Sequence, residues 1–344
     1  MKKPKLFAIV IVVFSTMLTS FAFYFFQIYY SPNFLTEKQG RPLTIPSGST
    51  FKDVQRIVFE QRYANELISF SFLAKLMNYQ ENVKPGLYFI EPDMTNPQVV
   101  RLLRSGEQTP VNITFNNARL IEDLAPKITK NLEISESDFL NTVNSDATRK
   151  TFGFDSLDFI GMFIPNTYQA YWDTSTDKLL DKLRKEYEKF WNEKRKSQAK
   201  SIGLTPKEVS VLASIVQAET ANSAELKIVA GLYMNRINRG IALQADPTLV
   251  FAAQDFTIKR VLNIHKEIDS PYNTYKYRGL PPGPINMPEM KAIDAVLNYE
   301  KHKYLYMCAK EDFSENHNFA TNLIDHNRNA AKYQKALNKA RVYK

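Results

Sequence analysis

At 344 residues the chain is long enough for two domains, and its aliphatic and aromatic content is that of a globular protein with a sizeable core. The formal net charge of +9 is modest for that length, and lysines are scattered along solvated helix faces as in "DKLLDKLRKEYEKFWNEKRKSQAK", with no nucleic-acid-binding motif beside them. Composition therefore argues against a nucleic-acid partner and leaves a membrane surface or an acidic polymer open.

Taken in chain order, "MKKPK" precedes "LFAIVIVVFSTMLTSFAFYFFQIYY", with no charge between Lys5 and Glu37. About 24 largely apolar residues suffice to cross a hydrocarbon core as a helix. The expected division is an N-terminal segment at 1–5, a transmembrane helix at 6–30 and a connector at 31–42. Lys2, Lys3 and Lys5 predict that the N-terminus stays in the cytoplasm, and Tyr24, Tyr29 and Tyr30 suit the far interface. A cleaved signal peptide is the competing reading. It calls for a shorter apolar region, about 7 to 15 residues, and an A-x-A-like site, which is not found. Under either reading the rest of the chain is exported from the cytoplasm.

Residues 43–108 read as a small α+β module. A strand "LTI" ends at Pro46, Ser47 and Gly48, and Ser49 or Thr50 caps a helix carrying Val54, Ile57 and Val58 on one side. A helix around "LISFSFLAKLM" and a turn at Pro85 and Gly86 lead to the strand "LYFI". A third helix starts at Thr95 or Asn96, with Pro97 early in it and Gly106 after its end.

A larger α+β region follows at 109–344. Helices are expected at 120–130 and 137–144, a loop at "FIGMFIPNTYQAY", and a long charged helix at 176–196. The next helix, "LTPKEVSVLASIVQAET", has Thr205 as its cap and Pro206 in its first turn. "SAELKIVAGLYMNRINRG" carries a core stripe of Leu226, Val229, Ala230, Tyr233 and Ile237, ended by Gly240. A strand "YLYMCA", the segment "HNFATN" and a helix at 323–340 complete the chain. The lone Cys308 excludes an intramolecular disulfide and reads as a buried strand residue.

Several chemistries find no support. His265, His302, His317 and His326 lack metal-ligand spacing, so no metal and no cofactor are expected. There is no G-x-S-x-G elbow and no phosphate- or dinucleotide-binding glycine pattern. What stands out is Glu219, which shares one helical arc with Leu212, Ile215 and Val216, while Ser210, Ser214 and Gln217 take the opposite side. The plain reading pairs it with Arg236 or Arg239. The sharper reading sets a carboxyl in a partly apolar cleft, where desolvation raises its pKa and leaves a proton to donate.

Nearby, "LQADPT", "SPYNTYKYRGLPPGPI" and "HNFATN" read as loops dense in sugar-binding side-chain types, such as Gln244, Asn273, Thr274, Tyr275 and Tyr277. In "GLPPGP" three prolines restrict φ and two glycines permit unusual turns.

"GMFIPNTY", "LASIVQAET", "NRINRGIALQADPT", "SPYNTYKYRGLPPGPI" and "HNFATNLIDHN", in this order, resemble the MltG/YceG-like endolytic murein transglycosylases. "IPSGSTF" and "VKPGLYFI" resemble that family's LysM-like region. The resemblance implies an α+β catalytic domain that cleaves the β-1,4 bond between N-acetylmuramic acid and N-acetylglucosamine in peptidoglycan. It implies Glu219 as the catalytic residue, and substrate contacts from Gln244, Asp246, Thr248, Asn273, Thr274, Tyr275 and His317. It further implies a 1,6-anhydro product end, action on nascent strands at the cytoplasmic membrane, and association with peptidoglycan synthases. The chain departs from the family at Gln217, Ile160 and Asn166, where acidic residues are common. Two alternatives stay open: a two-carboxylate hydrolase with Asp246 as partner of Glu219, and a non-catalytic wall-binding tether.

Overall fold

The computed structural model describes residues 3–36 and 38–339. Met1, Lys2, Glu37 and residues 340–344 lie outside the described residues, and with them parts of the expected segments 1–5, 31–42 and 109–344. Helices and strands are mixed, and the chain forms two compact units. The first is Met1–Asn112 with Asn131–Ile134 and Gln169–Thr174; the second is Ile113–Lys130, Ser135–Tyr168 and Ser175–Lys344.

In the first unit, α1 (Lys3–Tyr30) is long and apolar enough to cross a membrane; its most apolar 18-residue window is not covered by protein, while Ile28 near its end is buried. It leads directly into β1 (Pro32–Phe34). The expected connector is thus no free tether: Asn33 and Phe34 are buried, and the Asn33 side chain bonds Asn96 at 2.7 Å. Then follow β2 (Arg41–Ile45), α2 (Phe51–Glu60), α3 (Leu67–Leu76), β3 (Gly86–Ile90), β4 (Met94–Thr95) and α4 (Asn96–Ser105). Strands β2 and β3 pair antiparallel, from Arg41 opposite Ile90 to Ile45 opposite Gly86, while β1 pairs with β4.

Thr50 and Asp53 close a capping box on α2, and Thr95 and Gln98 close another on α4. Leu43, Ile45, Val54, Val58, Phe70, Tyr88, Val99 and Leu103 make one core beneath the strand pair.

The second unit contains the larger part of β5 (Val111–Phe115), α5 (Ile121–Thr129), α6 (Glu136–Val143), α7 (Asp146–Thr151), the larger part of β6 (Asn166–Ala170), α8 (Thr176–Phe190) and α9 (Glu193–Ser201). Next come α10 (Pro206–Glu219), α11 (Leu226–Asn238), α12 (Asp246–Ala253), α13 (Asn263–Lys266), α14 (Met290–Leu297), β7 (Tyr306–Ala309), β8 (His317–Ala320) and α15 (Leu323–Lys339).

The expected helix at 176–196 is two helices, because the Asn192 side chain accepts the Arg195 N–H and starts a new helix after the buried Trp191. The expected loop at 159–171 contains a strand, β6, paired with β5. The "ADPT" segment opens α12 rather than a loop, with Pro247 in its first turn.

Helix α10 is the axis of this unit, every residue from Val209 to Val216 being buried. The side of it expected to be polar is enclosed as well. Ser214 Oγ accepts the Ile285 N–H at 3.0 Å, its carbonyl accepts from Asn286 at 2.9 Å, and Gln217 Oε1 accepts the Glu289 N–H at 2.7 Å. Helix α11 carries Gly231, where a Cβ would lie 2.2 Å from the Glu300 carbonyl oxygen and 2.8 Å from His302 Nε2. In an open helix Gly→Ala stabilises by about 1 kcal/mol. Here we expect the reverse: Gly231→Ala lowers stability by about 1–3 kcal/mol, as overpacking does, read from urea unfolding of the detergent-solubilised chain.

Candidate active site

Glu219 ends α10 as its last helical residue. Its neighbours upstream are buried and Ala218 is exposed, so the helix axis delivers the carboxyl to the edge of the core. There Glu219 Oε1 accepts a hydrogen bond of 2.7 Å from the hydroxyl of Tyr233 on α11. Tyr233 is itself buried, and burial with the adjacent carboxyl raises its pKa well above the ordinary phenol value, so it acts as a fixed donor.

Desolvation pushes the Glu219 pKa up to about 7. The Tyr233 hydrogen bond and the Arg236 charge work against the rise, and the Asp246 charge adds to it. None of the described ion pairs involves Glu219, which sets aside the pairing with Arg236 or Arg239. Arg236 is buried and spends its donors on carbonyls: Nε on Leu305 at 2.7 Å, and Nη1 on Ala242 at 2.8 Å and Leu243 at 3.0 Å. It is a positive charge near the carboxyl without being its partner.

Two cavities meet at this point. One of about 810 Å³ is lined by Asn117, Arg119, Gln217, Phe251, Phe256 and Lys259 among others. The other, about 460 Å³, is lined by Tyr233, Gln244, Tyr275, Met307, Cys308 and His317 among others. Glu219 and Asp246 border both, so a cleft runs past the pair of carboxyl groups. Among the described residues, no cluster of three or more His, Cys, Asp or Glu could hold a metal ion.

The residues expected to bind substrate separate into two groups. Gln244, Asp246, Tyr275 and His317 come together on the second cavity. Asp246 Oδ1 accepts the Tyr275 hydroxyl at 2.5 Å. Gln244 takes a left-handed backbone, φ 52°, and its Oε1 accepts from Arg236 at 3.1 Å. His317 donates from its backbone N–H and from Nδ1 to Glu225, at 2.9 and 2.8 Å. A carboxylate can only accept, which places the ring proton on Nδ1.

Thr248, Asn273 and Thr274 correct the expectation. All three are buried away from both cavities, with their polar atoms engaged inside the protein. Thr248 bonds Thr274 at 2.8 Å, Thr274 accepts the Ala245 N–H at 3.0 Å, and Asn273 donates to the carbonyls of Lys266 and Ile268. They brace the 244–246 turn from behind. Cys308 is only half-buried, on β7, and lines the cavity rather than filling a core. Tyr277 bonds Asp269 beside a separate, shallow hollow.

Sequence reasoning missed Tyr233 and Arg236 as site residues, since helical spacing marks Tyr233 only as one more member of a core stripe. In the "GLPPGP" loop Gly283 is required for close approach, not for its φ. A Cβ there would sit 1.9 Å from the Leu157 carbonyl oxygen, whereas Gly279 has φ +89°.

An α+β unit with a proton-holding carboxyl in an open, sugar-sized cleft defines a candidate glycan-cleaving enzyme. The chain belongs to the YceG-like family, whose model matches residues 43–332. It is 27% identical to the endolytic murein transglycosylase of Streptococcus pneumoniae, over 96% of this chain and 65% of that protein. It thus spans about two thirds, 65%, of the pneumococcal relative's length. It is also 27% identical to the endolytic murein transglycosylase of Bacillus subtilis, over 86% of this chain and 85% of that one. The crystal structure of a yceG-like protein from Listeria monocytogenes superposes with a TM-score of 0.57 at 25% identity, covering 85% of this chain and 99% of the other.

Two consequences of the site's electrostatics can be measured. Tyr233→Phe removes the donor that favours ionised Glu219, so the basic limb of the pH–rate profile moves to higher pH. Asp246→Asn removes the charge that raises the same pKa, so the limb moves to lower pH. The folded-state pKa of Glu219 exceeds its ordinary value of 4.5, so ionisation opposes folding as pH rises from there through about 7. Glu219→Gln removes that cost. Allowing for partial solvent screening, it raises stability at pH 8 by on the order of 1–3 kcal/mol and changes it little at pH 4, in denaturant titrations at the two pH values.

Proposed function

We propose that this chain is a membrane-anchored endolytic transglycosylase of peptidoglycan. The observation that carries the proposal is the Glu219 carboxyl, held by Tyr233 in the cleft with a pKa near neutral, at about 7. A protonated Glu219 donates to the glycosidic oxygen as the bond from the muramic acid anomeric carbon breaks. The substrate's own N-acetyl group stabilises the oxocarbenium-like centre, as in substrate-assisted glycosidases. Glu219, now ionised, removes the proton from the C6 hydroxyl of the same sugar. That oxygen closes on the anomeric carbon and leaves a 1,6-anhydro end. One carboxyl acts as acid and then as base, and the reaction needs no water. Gln244, Asp246, Tyr275 and His317 line the path of the glycan.

The domain division proposed with this function is an anchor at 6–30, a module at 43–108 and a catalytic domain at 109–344. The LysM-like reading of the module is supported by its strand–helix–helix–strand order, β2, α2, α3, β3, with the two strands antiparallel. The lysines at the N-terminus favour a cytoplasmic start and a catalytic domain outside the membrane. Peptidoglycan strands near the bilayer are the proposed substrate, and peptidoglycan synthases the proposed neighbours.

A hydrolase reading rests on Asp246, the second carboxyl bordering both cavities. Mass spectrometry of peptidoglycan digested by the detergent-solubilised chain separates the two, with anhydro ends expected and reducing ends pointing to hydrolysis. Glu219→Gln is expected to lose at least about a hundredfold in cleavage rate, as loss of a general acid–base does, while still binding glycan. Unchanged cleavage would refute the assignment.

A further inference from the structure

One surface of the first unit has no place in the cleavage chemistry. Helix α3 exposes Ile68, Phe72 and Leu76, 74%, 50% and 60% accessible, and their spacing of four residues makes them a single stripe. A soluble module does not present three large apolar side chains in a row to water without use. The stripe adjoins α1. Phe21, Tyr24, Phe25 and Ile28 of α1 face Ile68 and Phe72 across a groove of about 180 Å³, whose lining is apolar apart from Ser69 and the Tyr24 hydroxyl.

The end of α1 is also seated in the unit. The Asn96 side chain donates to the Ile28 carbonyl at 3.1 Å, Arg101 donates to the Tyr29 hydroxyl at 3.3 Å, and Ile28 is buried. The apolar stretch of 26 residues is about 39 Å long at 1.5 Å per residue. The hydrocarbon core is about 30 Å thick. With the start of that stretch at one face of the core, about the last six residues of α1, from Phe25, reach the opposite interface, and Phe21 and Tyr24 sit just inside it. Charge agrees with that level. Lys75 on α3 and Arg101 and Arg104 on α4 are exposed cations beside the apolar surface, and Arg104 donates to the Met77 carbonyl just after α3. Glu66, just before α3, accepts from the Tyr24 hydroxyl at 3.5 Å.

We propose that α3 is a monotopic membrane element: it lies in the interface of the bilayer that α1 spans, with Ile68, Phe72 and Leu76 among acyl chains and a lipid tail in the groove against α1. The occupant is lipid because the patch is continuous with the spanning helix and at its depth. The inference rests on α1 spanning the membrane.

The test uses the full chain carrying Cys308→Ala, with single cysteines introduced as Ile68→Cys, Phe72→Cys, Leu76→Cys, Phe25→Cys in α1 and Lys52→Cys on α2. Each is labelled with an environment-sensitive fluorophore and reconstituted into phosphatidylethanolamine–phosphatidylglycerol vesicles containing lipid spin-labelled high on the acyl chain. Labels at 68, 72 and 76 are expected to shift to the blue and lose fluorescence about as strongly as the label at 25, while the label at 52 does neither. Quenching at 25 alone overturns the proposal and leaves the anchor intact. Blue-shifted but unquenched labels at 68, 72 and 76, with energy transfer between copies, overturn it in favour of a chain–chain interface. No quenching at 25 removes the anchor reading and this inference with it.

Discussion

The hydrogen bond between Tyr233 and Glu219 sets the terms for the rest of the site. A carboxyl at the edge of a core is a liability when ionised, since desolvation disfavours its charge. A full ion pair would relieve that cost and also abolish the acid, because the proton would leave well below neutral pH. One neutral donor gives a middle course. Tyr233 compensates part of the lost hydration without bringing a formal charge, and the pKa stays near 7. Arg236 reinforces the same balance: its guanidinium is close enough to act through its field, yet it donates to the carbonyls of Leu305, Ala242 and Leu243 and to Gln244 Oε1 instead.

Holding that balance requires the two helices to keep their spacing, and most of the surrounding structure serves that end. Helix α10 is buried from Val209 to Val216, so its terminal residue inherits the rigidity of the core. Ser214 and Gln217, whose polarity suggested a solvated face, instead clamp the 285–289 segment through backbone N–H groups. That segment follows a loop whose Gly283 allows backbone to approach backbone at Leu157. Behind the opposite wall, Thr248, Asn273 and Thr274 form a buried polar brace under the turn that carries Gln244 and Asp246. Polar side chains in these motifs act as framework as often as they face the cleft.

The first unit follows a different logic, with a small core, capped helices and a buried amide network of Asn33 and Asn96 that grips the end of α1. Its exposed apolar stripe on α3 borders the apolar helix α1.

Much of this was legible from residue order. Capping boxes, proline in first turns, glycine after helix ends and the apolar anchor are local signals. They depend on neighbours within about four residues, so they located α2, α4, α10 and α11 and singled out Glu219. What the sequence could not decide are relations between distant positions: that Tyr233 would be the partner of Glu219, that Arg236 would turn to carbonyls, that Thr248 and Thr274 would face inward, and that Asn192 would split one charged helix in two. Helical periodicity says which side of an element is buried, but not which atom lies opposite. The proton on Glu219 depends on that second fact, because a pKa is set by distances that only the packed chain creates.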